Sequence, residues 1–239
     1  MTAQRIILVT GASRGIGRAA ALALAEAGCF VIGTARSLES FENLDALMPR
    51  SWLTTCAMQD GAAVDRLCDE IRARYGRLDG LFGNAGVLGA QQPLGQLMPA
   101  EFEDALAINL TANMRLLHGL DPLLRASPAG RALFVTSGVA WKRHAGWAPY
   151  AVTKAALEAL VGVYASEVAD TPVRANCISP GPIRTGMRTA AWPGEDPATV
   201  PPPEAVTPHI VHMLSPLCND NGAIYDFRAG RMVRGLPPG

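Results

Sequence analysis

Tyr150 and Lys154 stand four positions apart in Tyr150-Ala151-Val152-Thr153-Lys154, a spacing that on a helix puts a phenol and an ammonium on one face. A phenol releases its proton near pH 10 in water, and a nearby positive charge favours the phenolate. The pair is therefore expected to lower the pKa of Tyr150 and to let it act as a general acid or base near neutral pH. Ser137, directly after the apolar run Ala132-Leu133-Phe134-Val135-Thr136, is placed to hydrogen-bond the same substrate oxygen. Asn109 lies between Ile108 and Leu110 in a helical stretch, and an amide flanked that way is either a satisfied core group or a functional one.

These groups need a scaffold, and its most informative stretch is Thr10-Gly11-Ala12-Ser13-Arg14-Gly15-Ile16-Gly17. It follows the apolar run Ile6-Ile7-Leu8-Val9 and opens an alanine-rich segment to about Gly28. Strand, glycine turn and helix start in that order make a phosphate cradle of free N–H groups at a positive dipole end. Gly11 reads as the tight turn, Gly15 as the point of close approach to a dinucleotide, and Gly17 as the point of close helix–strand packing. The spacing is G-x-x-x-G-x-G, not the commoner G-x-G-x-x-G, and a turn that binds nothing is the alternative. After a second apolar strand, Cys29 to Thr34, an NAD site would carry an acid for the ribose hydroxyls. Here the chain has Ala35-Arg36, and Arg36 with Arg14 suits a 2′-phosphate. Either arginine alone reads equally well as a surface charge; together they favour NADP over NAD.

The remaining pattern alternates strands and helices. A short helix is expected over 38–48, a third strand over 51–57, and a helix over 61–75 capped by Asp60. The fourth strand, 78–82, ends in Gly83-Asn84-Ala85-Gly86, where a small, glycine-flanked Asn suits backbone contact with a ligand at the sheet edge, although an ordinary turn looks much the same. A long helix is expected over 101–125, a fifth strand over 132–136, a helix opening at Tyr150, a sixth strand over 173–178, a last helix over 204–214 and a seventh strand over 223–227. Between them, 182–203 is proline-punctuated and reads as a lid. Met187 and Trp192 are its expected apolar wall residues, with Trp141 and Trp147 in the same pocket. The whole is expected to be one α/β domain over 1–239, a Rossmann-like doubly wound sheet of about seven parallel strands with helices on both faces.

Composition narrows the partners. The chain has 239 residues, and its 21 basic and 21 acidic side chains cancel, which gives nucleic acid no electrostatic foothold. The apolar run near the N-terminus is too short for a secretion signal or a membrane span, so the protein is expected in the cytoplasm. Cys29, Cys56, Cys68, Cys177 and Cys218 are scattered and never in C-x-x-C spacing, which argues against disulfides and zinc. His209 and His212 lack further ligands at metal spacing, so no metal is expected.

The ordered set Thr10-Gly11-x-x-x-Gly15-x-Gly17, Asn84-Ala85-Gly86, Asn109, Ser137, Tyr150-x-x-x-Lys154 and Pro180-Gly181 resembles the short-chain dehydrogenase/reductase family along nearly the whole chain. The resemblance implies an NADP-preferring oxidoreductase that moves hydride between the cofactor and a carbonyl or secondary alcohol of a small molecule. It makes Tyr150 the acid/base, Ser137 the group that orients the substrate oxygen, Lys154 the partner of the nicotinamide ribose, and Asn109 the holder of a water in a proton relay. Cofactor contacts are implied at Gly11, Ser13, Arg14, Gly15, Ile16, Gly17, Arg36, Met58, Asn84, Ala85, Gly86, Tyr150, Lys154, Pro180, Gly181, Ile183 and Thr185. A homodimer or homotetramer is implied too, formed through the helices at about 101–125 and 150–169. Three positions depart from the pattern. Gly83 replaces an Asn, Ala57 stands where many members have an Asp for the adenine, and 226–230 lacks the frequent double glycine. The competing reading is an NADP-binding regulatory protein of the same fold without turnover; such proteins commonly lack the tyrosine or lysine, and this chain has both.

Overall fold

A strand covered on both faces needs a continuous apolar run, and Ile6-Ile7-Leu8-Val9 supplies one. In the computed structural model, which describes residues 4–41 and 43–234, that run is β1 (Ile6–Thr10), buried at every position. The chain continues through α1 (Gly15–Glu26), β2 (Phe30–Ala35), a 3₁₀ turn (Glu39–Phe41), α2 (Leu44–Leu47), β3 (Ser51–Thr55), α3 (Gly61–Tyr75) and β4 (Gly80–Gly83). Then come α4 (Pro99–Leu106), a π-helical turn (Ala107–Thr111), α5 (Ala112–Arg125), β5 (Arg131–Val135), α6 (Val139–Lys142), α7 (Ala148–Glu167) and β6 (Arg174–Ser179). The last elements are α8 (Gly186–Ala191), α9 (Thr207–Met213), β7 (Ala223–Asp226) and β8 (Arg231–Arg234), with short 3₁₀ turns before α9.

All strands join one sheet in the order β3-β2-β1-β4-β5-β6-β7-β8. Every neighbouring pair is parallel except β7 with β8. Successive side chains of a strand point to opposite faces. Ile6 and Leu8 accordingly enter one core with residues of α3, α5 and α7, while Ile7 and Val9 enter another with residues of α1 and α9. The strand order reverses between β1 and β4, so the loops after those two strands open the crevice in which doubly wound sheets bind ligands. Among the described residues no helix is long and apolar enough to cross a membrane.

The structure corrects several expected elements. Among the described residues the sheet has eight strands, not about seven, and the eighth is antiparallel. Its four residues hold only two apolar side chains, Met232 and Val233, one packed against each core, which is too short a pattern to stand out. The turn before it is built by Asp226, whose Oδ1 accepts from the N–H groups of Arg228 (3.0 Å) and Ala229 (3.2 Å). The segment 38–48 is broken into a 3₁₀ turn and one helical turn. The long helix over 101–125 begins two residues earlier, at Pro99, and widens into a π turn around Asn109. Asp60 caps α3 as expected, accepting from Ala62 N (2.9 Å) and Ala63 N (3.2 Å). The departure at Gly83 is compensated by packing. A Cβ there would stand 2.3 Å from the Phe134 ring and 2.8 Å from Asn113 Oδ1, so neighbours already occupy the space a side chain would need.

Candidate active site

The loop after β1 turns at Gly11 (φ +67°) and Gly15 (φ +55°), backbone conformations that favour glycine. At Gly17 the constraint is space: a Cβ would lie 2.1 Å from Gly11 O, which is the close helix–strand packing the spacing predicts. Asn84, at the end of β4, braces this loop by donating its Nδ2 to Thr10 O (3.0 Å) and Gly11 O (3.3 Å). Thr10 Oγ1 in turn accepts from the N–H groups of Asn84 and Ala85, both at 3.0 Å. The Asn84 side chain therefore holds the cradle rather than pointing free at a ligand. Arg14 occupies the N-cap of α1 without a side-chain cap bond, and no acid sits in the first turn, so the first N–H groups are open to an anion. Thr185 closes over the loop, its Cγ2 3.2 Å from where a Cβ of Gly15 would be. Ser13 and Ile16 are half-buried, whereas Met58 and Ile183 are buried, which leaves the main chain as the part of Met58 and Ile183 able to meet a ligand. Arg14 and Arg36 are exposed, and among the described residues neither makes an ion pair or side-chain hydrogen bond.

Pro149 near the start of α7 suits a first helical turn, which places Tyr150 at the mouth of the crevice and Lys154 one turn deeper. Lys154 is 3 % exposed and donates to Val135 O at 2.7 Å, with its Nζ 5.6 Å from the centre of the Tyr150 ring. Gly86 lies beside both partners of the site: a Cβ there would be 3.1 Å from Asn109 Oδ1 and 3.7 Å from Lys154 Nζ. Among the protein's own groups, burial is the largest influence on the Tyr150 phenol. Burial pushes the Tyr150 phenol up to about 12, with a hydrogen bond to Ser137 pulling the other way. Burial also pushes Lys154 down to about 8. The ammonium is turned to a carbonyl rather than to the phenol, and desolvation is the larger effect on each group.

Asn109 resolves the two readings left open by its neighbours. It is wholly buried, and its Nδ2 donates to Val87 O (2.9 Å) and Thr153 Oγ1 (3.0 Å) while its Oδ1 accepts from Val87 N (2.8 Å). Both donors of the amide are thus in use. On the protein side, Asn109 fastens the loop after β4 to α7. Thr153 completes the link by donating to Pro149 O (2.8 Å) and Tyr150 O (3.0 Å).

Comparison with known proteins meets this geometry at its most specific point. The short chain dehydrogenase family model matches residues 5–196. The chain belongs to the short-chain dehydrogenase family. It is 36 % identical over 238 residues to the uncharacterized oxidoreductase YciK of Escherichia coli (strain K12), covering 95 % of this chain and 93 % of that protein. A short chain dehydrogenase from Shigella flexneri 2a str. 301, crystallised with NADP, superposes with a TM-score of 0.88 at 34 % identity over 94 % of this chain and 97 % of its own. One from Escherichia coli CFT073, crystallised with NADPH, superposes with the same TM-score and identity over 94 % and 96 %.

In this dehydrogenase the lid over 182–203 is ordered into α8 and short turns, and its aromatic residues part company. Trp192 stacks on Trp147 with ring centres 4.6 Å apart, and Trp147 meets the Tyr150 ring edge-on at 6.3 Å. Arg188 covers the Trp192 ring, its guanidinium carbon 3.7 Å from the ring centre, and forms a bidentate ion pair with Glu195. Trp141 is tied inward: its Nε1 donates to Glu158 Oε2 at 2.7 Å and its partly buried ring packs on the core. Sequence reasoning missed Thr136, Thr153 and Glu158. The signal for Glu158 was a charge inside the apolar run Ala155-Ala156-Leu157-Glu158-Ala159, spaced four from Lys154. Among the described residues no three His, Cys, Asp or Glu side chains group as metal ligands. His209 instead stacks on Tyr225, ring centres 4.7 Å apart.

The amide network has a measurable consequence. Asn109→Ala leaves the N–H and C=O of Val87 without partners, a loss of about 2–4 kcal/mol. In a protein of this size that lowers Tm by roughly 5–12 °C. Calorimetry checks it, and a melting temperature within a degree of the unmodified protein would contradict the network.

Proposed function

We propose that the chain is an NADP(H)-dependent oxidoreductase that moves a hydride between the nicotinamide and the carbonyl or secondary alcohol of a small molecule. The observation that carries this reading is the convergence of Tyr150, Lys154, Gly86 and Ser137 beside an uncapped helix start at the point where strand order reverses. The residues fit a phosphorylated dinucleotide. Free N–H groups of α1 suit its pyrophosphate, Arg14 and Arg36 suit its 2′-phosphate, and no acid stands at Ala35 to repel it. Bound there, the cofactor gives or takes the hydride. The chain's own residues manage the oxygen: Tyr150 passes a proton to or from it, Ser137 hydrogen-bonds it, and Lys154 contributes positive charge. Trp147, Trp192 and Met187 give the substrate side apolar surface.

The reading extends to assembly and place. α7 presents Val152 (47 % exposed), Ala159 and Val163 (58 % exposed) on its outer side, and α5 presents Met114 (43 % exposed). These apolar stripes favour a homo-oligomer of one-domain subunits built through α5 and α7. Unpaired cysteines, four of five buried, suit a reducing cytoplasm. Light scattering at micromolar concentration should give at least a dimer mass; a monomer mass would refute the assembly.

Cofactor choice is tested at Arg36. Arg36→Asp replaces a charge-assisted phosphate contact with repulsion and should weaken NADPH by about 2–4 kcal/mol while leaving NADH far less affected. Equal dissociation constants for NADH and NADPH in the unmodified protein would rule out the arginine site.

The catalytic assignment is tested at Tyr150 with a panel of aldehydes, ketones and alcohols followed at the cofactor's absorbance. Tyr150→Phe keeps the ring and removes the titrating hydroxyl, so turnover should fall by about 10²–10⁴ while NADPH binding survives. Alcohol oxidation by the unmodified enzyme should rise with pH as the phenol ionises, and that dependence should vanish in the variant. Full turnover in folded Tyr150→Phe would remove the residue from the mechanism.

A further inference from the structure

The phenol, the ammonium and one more ionisable side chain form a column on α7 at Tyr150, Lys154 and Glu158, four positions apart. Glu158 is 7 % exposed, deep in the protein, where a carboxylate is seldom placed without partners. Its partners are specific. Oε1 accepts from the Thr136 hydroxyl, and Oε2 accepts from Trp141 Nε1 at 2.7 Å. Thr136 immediately precedes Ser137, and Trp141 lies in α6, which directly follows it, so one carboxylate grips the Ser137 turn from both sides and ties it to the helix that carries Tyr150.

We propose that Glu158 is a positioning residue of this site: it holds the Ser137 turn in register with Tyr150 and supplies the negative charge that keeps Lys154 an ammonium. The proposal rests on the reading of Tyr150 and Lys154 given above. The titratable groups that face Glu158 are Lys154 on its own helix and Cys177 from β6, and no second carboxylate acts on Lys154. Burial raises the Glu158 carboxyl, while the bonds from Thr136 and Trp141 and the charge of Lys154 hold it toward the ionised form. Burial raises the Cys177 thiol strongly, so among the described residues Glu158 is the carboxyl group that favours the charged form of Lys154.

The two roles separate by substitution. In Glu158→Gln the amide oxygen still accepts from Trp141 and the amide nitrogen donates to Thr136, whose hydroxyl can accept; the grip survives and the charge is lost. In Trp141→Phe the charge survives and half the grip is lost. NADPH affinity of the unmodified protein should weaken as pH rises through about 8, where Lys154 gives up its proton. Glu158→Gln should move that break down by about one pH unit, read by cofactor fluorescence without turnover. Trp141→Phe should leave the break in place and lower kcat by about tenfold, with NADPH affinity unchanged. An unmoved break in folded Glu158→Gln overturns the charge role, and unchanged kcat in Trp141→Phe overturns the grip. If Glu158→Gln does not fold, Thr136→Val joins Trp141→Phe: each should lose turnover without moving the break, and unchanged turnover in both overturns the proposal. Tyr150→Phe is measured alongside, so that full activity there indicts the catalytic reading rather than Glu158.

Discussion

An ammonium buried to 3 % exposure is the constraint on which this site depends. Moving such a charge out of water is expensive unless it is paired and hydrogen-bonded, and its ordinary response is to lose its proton. Lys154 is already displaced in that direction, to about 8. Besides Cys177, two features oppose the displacement: the Val135 carbonyl at the end of β5, which accepts from the ammonium, and Glu158 one helical turn away. The first is delivered by sheet register, since β5 must end where Lys154 reaches it. The second is delivered by helical periodicity. The chemistry at Tyr150 is therefore set by the alignment of a strand end with a helix face.

That alignment is held by polar side chains, used where apolar packing cannot specify position. The two cores are apolar and close-packed, and they fix the sheet and its helices as layers. What fixes the loops between layers is a small set of buried amides, hydroxyls and one carboxylate. Asn84 and Thr10 lock the loops after β1 and β4 to each other. Asn109 and Thr153 lock the loop after β4 to α7, and Glu158 locks the loop after β5 to the same helix. Three loops from three strands thus share two fasteners on α7. Each fastener is satisfied at both ends, the condition under which a buried polar network rigidifies a structure.

The sequence was most legible where periodicity and glycine placement carry the signal. The crevice loop, the parallel strands, the Asp60 cap and the Tyr150–Lys154 face follow from patterns of two, of three to four, and from Gly17, where a side chain has no room. The partners of Asn109 are not legible, because Val87 and Thr153 lie 22 and 44 positions away in sequence. The inward tie of Trp141 is hidden for a related reason. Its N–H needs a buried acceptor, and Glu158 lies 17 positions away in sequence. Charge proximity at Tyr150 is legible in spacing, whereas its desolvation is not. β8 went unseen because two apolar residues make no period.

The same reasoning explains why the reaction class reads more clearly than the substrate. The groups proposed to handle the oxygen are anchored to the sheet and α7 through buried bonds, whereas the proposed substrate side is built on 182–203, where Met187 and Trp192 are 36 % and 38 % exposed. The lid's order comes from contacts within itself and with one tryptophan: Arg188 between Glu195 and the face of Trp192, and Trp192 on Trp147. None of these partners lies in either core, so residues here can change without disturbing the sheet. Such a lid is free to match a particular molecule while the catalytic geometry stays fixed. Trp147 is the joint between the two, since it occupies the N-cap position of the helix that carries Tyr150 and also receives Trp192.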